Sequence, residues 1–143
     1  MAHLQLVPLD RFNWETCLSI RLRPDQEVFV PPILYSLAQA KFEALTPFGI
    51  QLGEDMIGFL MSGEFGGVCW LTRVIIDRDR QGFGFGSEAV QLWLRTIGRN
   101  PHCKEVRTSY ARENGAAAHF FQRLGFVPLG DSLAEEVVAR FEG

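Results

Sequence analysis

The feature that most limits what this chain can fold into lies at residues 68–87, where an apolar run leads into three glycines at alternate positions. Val68-Cys69-Trp70-Leu71-Thr72-Arg73-Val74-Ile75-Ile76 has the β-branched and aromatic content, and the length, of a mostly buried strand. After Arg80-Gln81-Gly82-Phe83-Gly84-Phe85-Gly86-Ser87, the residues Ala89, Val90, Trp93, Leu94 and Ile97 recur at three- and four-residue spacing, and Gly98 supplies a stop. The pattern predicts strand, glycine loop, helix. The first turn of a helix has unpaired N–H groups and the positive end of the helix dipole, so such a junction favours an anion. Gly82, Gly84 and Gly86 carry no Cβ to hold a phosphate off those amides, and they allow positive φ where amides must converge. The alternative is a turn made only for flexibility.

Spacing excludes two common phosphate loops. A P-loop requires Gly-Lys-Ser/Thr, whereas Gly86 is followed by Ser87 and Glu88. A dinucleotide fingerprint requires G-x-G-x-x-G, and the chain has G-x-G-x-G.

Composition narrows the class further. At 143 residues the chain is expected to form one domain over 1–143, and its 47% apolar and 22% charged content is that of an ordinary globular protein. A net charge of −3 argues against a nucleic-acid surface. Cys17, Cys69 and Cys103 have no C-x-x-C spacing, so neither a disulfide framework nor a metal site is expected, and reduced thiols in a cytoplasmic protein are. No signal peptide or membrane span is read from the sequence.

In chain order, residues 2–9 read as an edge strand ending at Pro8, and Asn13 as the N-cap of a first helix carrying Trp14, Cys17 and Leu18. Pro24-Asp25-Gln26-Glu27 reads as a short helical piece, and a helix runs from Ile33, after Pro31-Pro32, to about Ala44. From Thr46 the period changes to two, predicting a hairpin that turns at Gly53-Glu54-Asp55 and ends at Met61, with residues 62–67 as the next turn. Residues 104–109 read as a strand and 110–115 as a polar loop. Asn114 caps a helix with Ala117, Phe120, Phe121 and Leu124 on one face, Gly125 ends it, and strands follow at Phe126-Val127 and at residues 137–141. The order predicts an α/β (α+β) fold with one mixed sheet flanked by helices.

Gln81-x-x-Gly84-x-Gly86 resembles motif A of the GNAT acetyltransferases, Q/R-x-x-G-x-G/A, and Asn114-x-x-Ala117-x-x-Phe120-Phe121-x-x-x-Gly125-Phe126 resembles their motif B. The two cover residues 68–129. Within the family, Cys17-Leu18, Gln26-Glu27-x-Phe29-Val30 and residues 35–41 are similar to bacterial spermine/spermidine acetyltransferases. The resemblance implies a splayed sheet holding acetyl-CoA as co-substrate, with Val74, Ile75 and Ile76 along the pantetheine. It also implies that Gln81, Gly82, Phe83, Gly84, Phe85, Gly86 and Ser87 lie at the pyrophosphate, and Asn114, Ala117, Phe120 and Phe121 on the other side. The implied reaction is direct attack of a primary amine, from a polyamine or another small molecule, on the thioester. A protein amine, an aminoglycoside, or acetyl-CoA binding without catalysis are the alternatives, and a homodimer is left open.

Two departures bear on that chemistry. The family's Tyr acid is replaced by Phe121, so Tyr110, with Ser109 beside it, becomes the nearest hydroxyl to nominate; the alternative for Tyr110 is an aromatic packed in its loop. An alkyl amine of pKa about 10.4 costs about 4 kcal/mol to deprotonate at neutral pH, whereas a thiolate of pKa about 8.5 needs little help to leave. Losing the acid should therefore slow the reaction without abolishing it. Thr72 stands where the similar polyamine enzymes carry an acid, leaving Glu27, Glu64, Asp77 and Glu113 as acids available in its place.

Overall fold

β-Branched and aromatic runs bounded by turn residues become seven strands of one mixed sheet. They are β1 (Leu4–Pro8), β2 (Thr46–Leu52), β3 (Asp55–Phe65), β4 (Val68–Ile76), β5 (Glu105–Ala111), β6 (Phe126–Pro128) and β7 (Glu136–Phe141), in the spatial order β1-β2-β3-β4-β5-β7-β6. The computed structural model describes residues 3–130 and 135–143; Ala2, included in the first predicted strand, lies outside them. The first four strands form an antiparallel meander, and β5, β7 and β6 pair antiparallel. Among the described strands only β4 and β5 run parallel. A parallel pair needs a long crossover, and α3 (Phe85–Ile97) provides it.

The sheet buries both faces. Ala89, Val90 and Trp93 of α3 and Phe121 of α4 (Gly115–Leu124) cover one face over Leu60, Leu71 and Phe126. Cys17, Ile20, Ile33 and Ala40 cover the other over Phe59, Met61 and Ile75, using α2 (Ile33–Phe42) and a 3₁₀ turn at Trp14–Ser19. A short helix, α1 (Pro24–Glu27), precedes α2. Because β3 contributes to both cores, it reads as a continuous apolar run and not as an alternation.

Three local expectations change. β3 continues to Phe65, so the turn predicted at residues 62–67 shrinks to Gly66-Gly67. Phe65 pairs with Val68, and the two glycines have φ of 58° and 88°, as a tight type I′ hairpin requires. Asn13 caps no helix: its Oδ1 accepts from Asp10 N at 2.8 Å, and the segment that follows is 3₁₀ with Cys17 alone buried. Tyr110 is not in a loop but in β5 opposite Val137, because β7 extends the ladder beyond the predicted strand end. Trp93 is only 2% exposed, so Trp93→Ala should lower the unfolding free energy by about 3–5 kcal/mol, read from urea melts.

Candidate functional site

The parallel ladder is short. Residues Val68, Cys69, Trp70 and Leu71 pair with Glu105, Val106, Arg107 and Thr108, and there the pairing stops. Beyond it β4 stays on β3 (Val74 opposite Leu60, Ile76 opposite Gly58), while β5 follows β7 (Tyr110 opposite Val137). The strands part, and a cleft of about 710 Å³ opens between them. Thr108, 1% exposed, seals its apex by donating Oγ1–H to the Leu71 carbonyl at 2.9 Å. Thr72 is the extra residue of a β-bulge between Met61 and Ser62, and its hydroxyl donates to the Met61 carbonyl at 2.9 Å.

At one end the cleft meets the glycine loop. Asp77 caps the 3₁₀ turn Arg78–Arg80 by accepting from Asp79 N, and Gly82 and Gly84 then take φ of 87° and 83° before α3 begins at Phe85. The first intrahelical bond is Glu88 N to Gly84 O, which leaves the N–H groups of Phe85, Gly86 and Ser87 without a partner among the described residues. A Cβ built on Gly82 or Gly84 would meet nothing within 4 Å. Their need for glycine is therefore conformational, and the space above them is open to an anion. Gly86 differs from the expectation: it is helical, and its Cβ would lie 3.3 Å from Phe120 Cε1, so it permits close approach of α4 to α3.

Most of the candidate residues come together along this cleft: Val74, Ile75 and Ile76 on β4; Gln81, Gly82, Gly84, Phe85, Gly86 and Ser87; and Asn114, Ala117, Phe120, Phe121 and Tyr110 opposite. Phe83 does not line it; the ring is 70% exposed and sits 5.9 Å from that of Phe85. Gln81 turns its side chain inward, donating Nε2–H to Ile76 O at 2.9 Å and to Gln26 Oε1 at 2.9 Å, so its carboxamide is already engaged. Asn114 Oδ1 accepts from Ala117 N at 3.1 Å, capping α4, and its Nδ2 has no partner among the described residues.

Tyr110 and Phe121 lie one on the other, with ring centroids 5.9 Å apart and 10° between planes. Burial raises the Tyr110 pKa, which keeps the phenol protonated through neutral pH. Phe121 is held edge-on by Phe120 and Phe126 at 5.0 and 5.3 Å.

No cysteine or histidine of the described residues lines the cleft, and burial and the neighbouring Cys103 push the Cys69 thiol up to about 12. A thiolate nucleophile is thereby absent from this site. None of Glu27, Glu64, Asp77 and Glu113 reaches the cleft either; its carboxylates are Asp25 and Glu136, which the sequence reading did not single out. Arg73 was also missed. It lies in the cleft wall, donating to Gln39 Oε1 at 2.8 Å and to the Thr72 carbonyl, and burial lowers its pKa against the opposing pull of Tyr35, Glu136 and Glu43. Its position in a bulged strand hides it from periodicity. Among the described residues no group of His, Cys, Asp and Glu could hold a metal ion, and no helix is long and apolar enough to cross a membrane.

Residues 11–126 match the sequence model of the GNAT family of acetyltransferases. A search of curated proteins found no match. Among solved structures, an acetyltransferase from Thermus thermophilus has a TM-score of 0.77 at 19% identity, covering 96% of this chain and 95% of that one. A spermidine N-acetyltransferase from Vibrio cholerae, solved with CoA and spermine, has a TM-score of 0.73 at 20% identity, covering 96% and 92%. A PaiA N-acetyltransferase from Thermoplasma acidophilum, solved with coenzyme A, has a TM-score of 0.72 at 13% identity, covering 99% of both. At these identities the likeness is one of fold. The Asn114 cap yields a prediction independent of ligand: Asn114→Ala should lower stability by about 1 kcal/mol in urea unfolding, and Asn114→Ser should recover most of it.

Proposed function

The chain belongs to the GNAT family of acetyl-CoA-dependent acetyltransferases, and we propose that it transfers the acetyl group directly to a primary amine within the cleft between β4 and β5. The observation that carries this reading is the junction of the parted strands with the unpaired amides of α3. A pyrophosphate fits there: the Phe85, Gly86 and Ser87 N–H groups and the α3 dipole favour negative charge, and Gly82 and Gly84 leave the approach clear. The peptide-like pantetheine would lie along Val74, Ile75 and Ile76, a stretch of β4 with no strand partner on the cleft side among the described residues. Asn114, Ala117, Phe120 and Phe121 would form the opposite wall.

Acetyl-CoA supplies an electrophilic thioester carbonyl and a thiolate that departs as the amide forms. The chain's task is to hold a deprotonated amine against that carbonyl and to meet the charge that develops on sulfur. Tyr110 suits the second task, since its buried phenol stays protonated and has no hydrogen-bond partner among the described residues. Full proton transfer from a phenol of pKa above 10 to a thiolate near 8.5 is uphill, so the larger contribution is the hydrogen bond donated as the C–S bond breaks.

A polyamine such as spermidine or spermine is the first acceptor to test. The matching N-terminal residues and the polyamine enzyme among the structural neighbours support it, and Asp25 and Glu136 are carboxylates available to a second ammonium group. Thr72 cannot serve, because its hydroxyl is bonded within the sheet.

Two experiments test the reading. Gly84→Asp puts at φ 83° one of the non-glycine residues that adopts left-handed φ most readily, at some strain, and adds a carboxylate at the anion site. It should remain folded with a modest loss of stability in urea melts and lose CoA binding by calorimetry, and unchanged affinity in the folded variant would refute the cofactor placement. Tyr110→Phe should lower kcat by about 10- to 100-fold and Phe121→Tyr should raise it, more so when Tyr110 has been removed. Because the Tyr110 pKa is raised, its protonated form persists on the alkaline side, so the wild-type rate should keep rising toward pH 10 as the amine deprotonates. A kcat for Tyr110→Phe equal to that of wild type across this pH range would remove Tyr110 from the mechanism.

A further inference from the structure

Residues 21–32 form one wall of the cleft, yet none of them is buried; the core resumes only at Ile20 and Ile33 on either side. Leu22, Gln26, Val30 and Pro31 are half-buried, and α1 within the segment has no buried residue. Leu22 and Val30 pack against the core around Phe59 and Ile75, but with no fully buried side chain between Ile20 and Ile33 the polar contacts carry much of what holds this wall in place.

Those contacts converge on one place. Arg21 N donates to Asp77 Oδ1 at 2.8 Å, Arg78 N donates to Arg21 O at 2.7 Å, and the Gln26 and Gln81 carboxamides exchange bonds of 3.1 and 2.9 Å. Among the described residues, each hydrogen bond that leaves residues 21–31 ends on residues 77–81, while the Pro32 carbonyl at the far end of the wall accepts from Ser36 N and Oγ of α2. That turn leads directly into Gly82 and Gly84. Gln26 also takes up Arg23 N at 3.1 Å, and Gln81 takes up the Ile76 carbonyl, so the paired amides join the start of α1 to the end of β4.

We propose that Gln26 is a positioning residue whose carboxamide pair with Gln81 transmits CoA occupancy of the glycine loop to residues 21–32. Loading the loop then fixes the wall that faces the incoming amine. The Gln81 side chain acts as a brace, and the pyrophosphate is left to the backbone amides. Coupling of this kind is reciprocal, so an acceptor held by the wall tightens CoA in return. The inference rests on the acetyl-transfer reading above, in that it requires CoA at the glycine loop.

Amide hydrogen exchange of residues 21–32, with and without saturating CoA, tests it in wild type, Gln26→Ala and Gln26→Met, with CoA affinity measured by calorimetry. Methionine fills the space of glutamine without its hydrogen bonds. CoA should slow exchange in this segment of the wild type by at least about fivefold, the lower range of measured site-to-site couplings. Both variants should bind CoA with Kd in the same decade and lose that slowing. Retention of the slowing in Gln26→Met would assign the coupling to packing and overturn the proposal, as would wild-type exchange that CoA leaves unchanged. Absence of CoA binding to the wild type would refute the acetyl-transfer reading and this inference with it, whereas binding without protection refutes only the latter.

Discussion

The parting of β4 from β5 is the constraint on which the rest of the site depends. Buried backbone N–H and C=O groups must find partners, and a sheet that opens in its middle leaves two rows of them facing each other across a gap. The chain contains the opening at its apex, where the Thr108 hydroxyl takes the Leu71 carbonyl. One residue further along β4, the bulge at Thr72 returns a hydroxyl to Met61. Two threonines thus close the sheet on the core side. What remains unpaired beyond them is presented to the cleft, and an extended, amide-bearing ligand is the kind of molecule that satisfies it.

The glycine loop extends the same logic from strand to helix. Gly82 and Gly84 turn the chain through left-handed conformations that place the first turn of α3 at the mouth of the gap. Gly86 then admits Phe120 against α3, bringing the α4 wall close. One short motif thereby sets the amides, the helix dipole and the distance between the walls. Arg80 lies beside it but is ion-paired with Asp55 at 2.8 Å, an exposed contact contributing at most about 1 kcal/mol, so the field at the loop comes mainly from the backbone.

What could be read from the sequence was whatever local periodicity and capping determine. β4, α3, α4 with its Asn114 cap, and the stop at Gly125 follow from nearby residues alone, and most residues of the two motifs line the cleft. Apart from Asn13, whose side chain is taken by Asp10 three residues away, the departures from expectation are non-local. β3 continues to Phe65 because Val68 pairs with it, and Tyr110 belongs to a strand because Val137 lies opposite. Gln81 faces inward because Gln26, 55 positions away, meets it. Arg73 and Glu136 become cleft residues through a bulge and an adjacent strand, neither of which leaves a pattern in the chain.

The two walls of the cleft are held by different physics, and the difference follows the chemistry asked of each. On the α4 side, Phe120, Phe121, Tyr110, Phe126 and Phe141 form a connected series of ring contacts at 5.0–5.9 Å, each worth about 0.5–1.5 kcal/mol beyond its burial. Such a wall stays put, as the role proposed for Tyr110 beside a departing sulfur requires. On the α1 side no side chain is fully buried, and the half-buried Leu22 and Val30 together with hydrogen bonds to a turn hold the segment, so its local opening should cost far less than global unfolding. An acceptor must enter and its acetylated product must leave. It is the weakly packed wall, tied to the loop where the cofactor would bind, that can allow this traffic without disturbing the aromatic side.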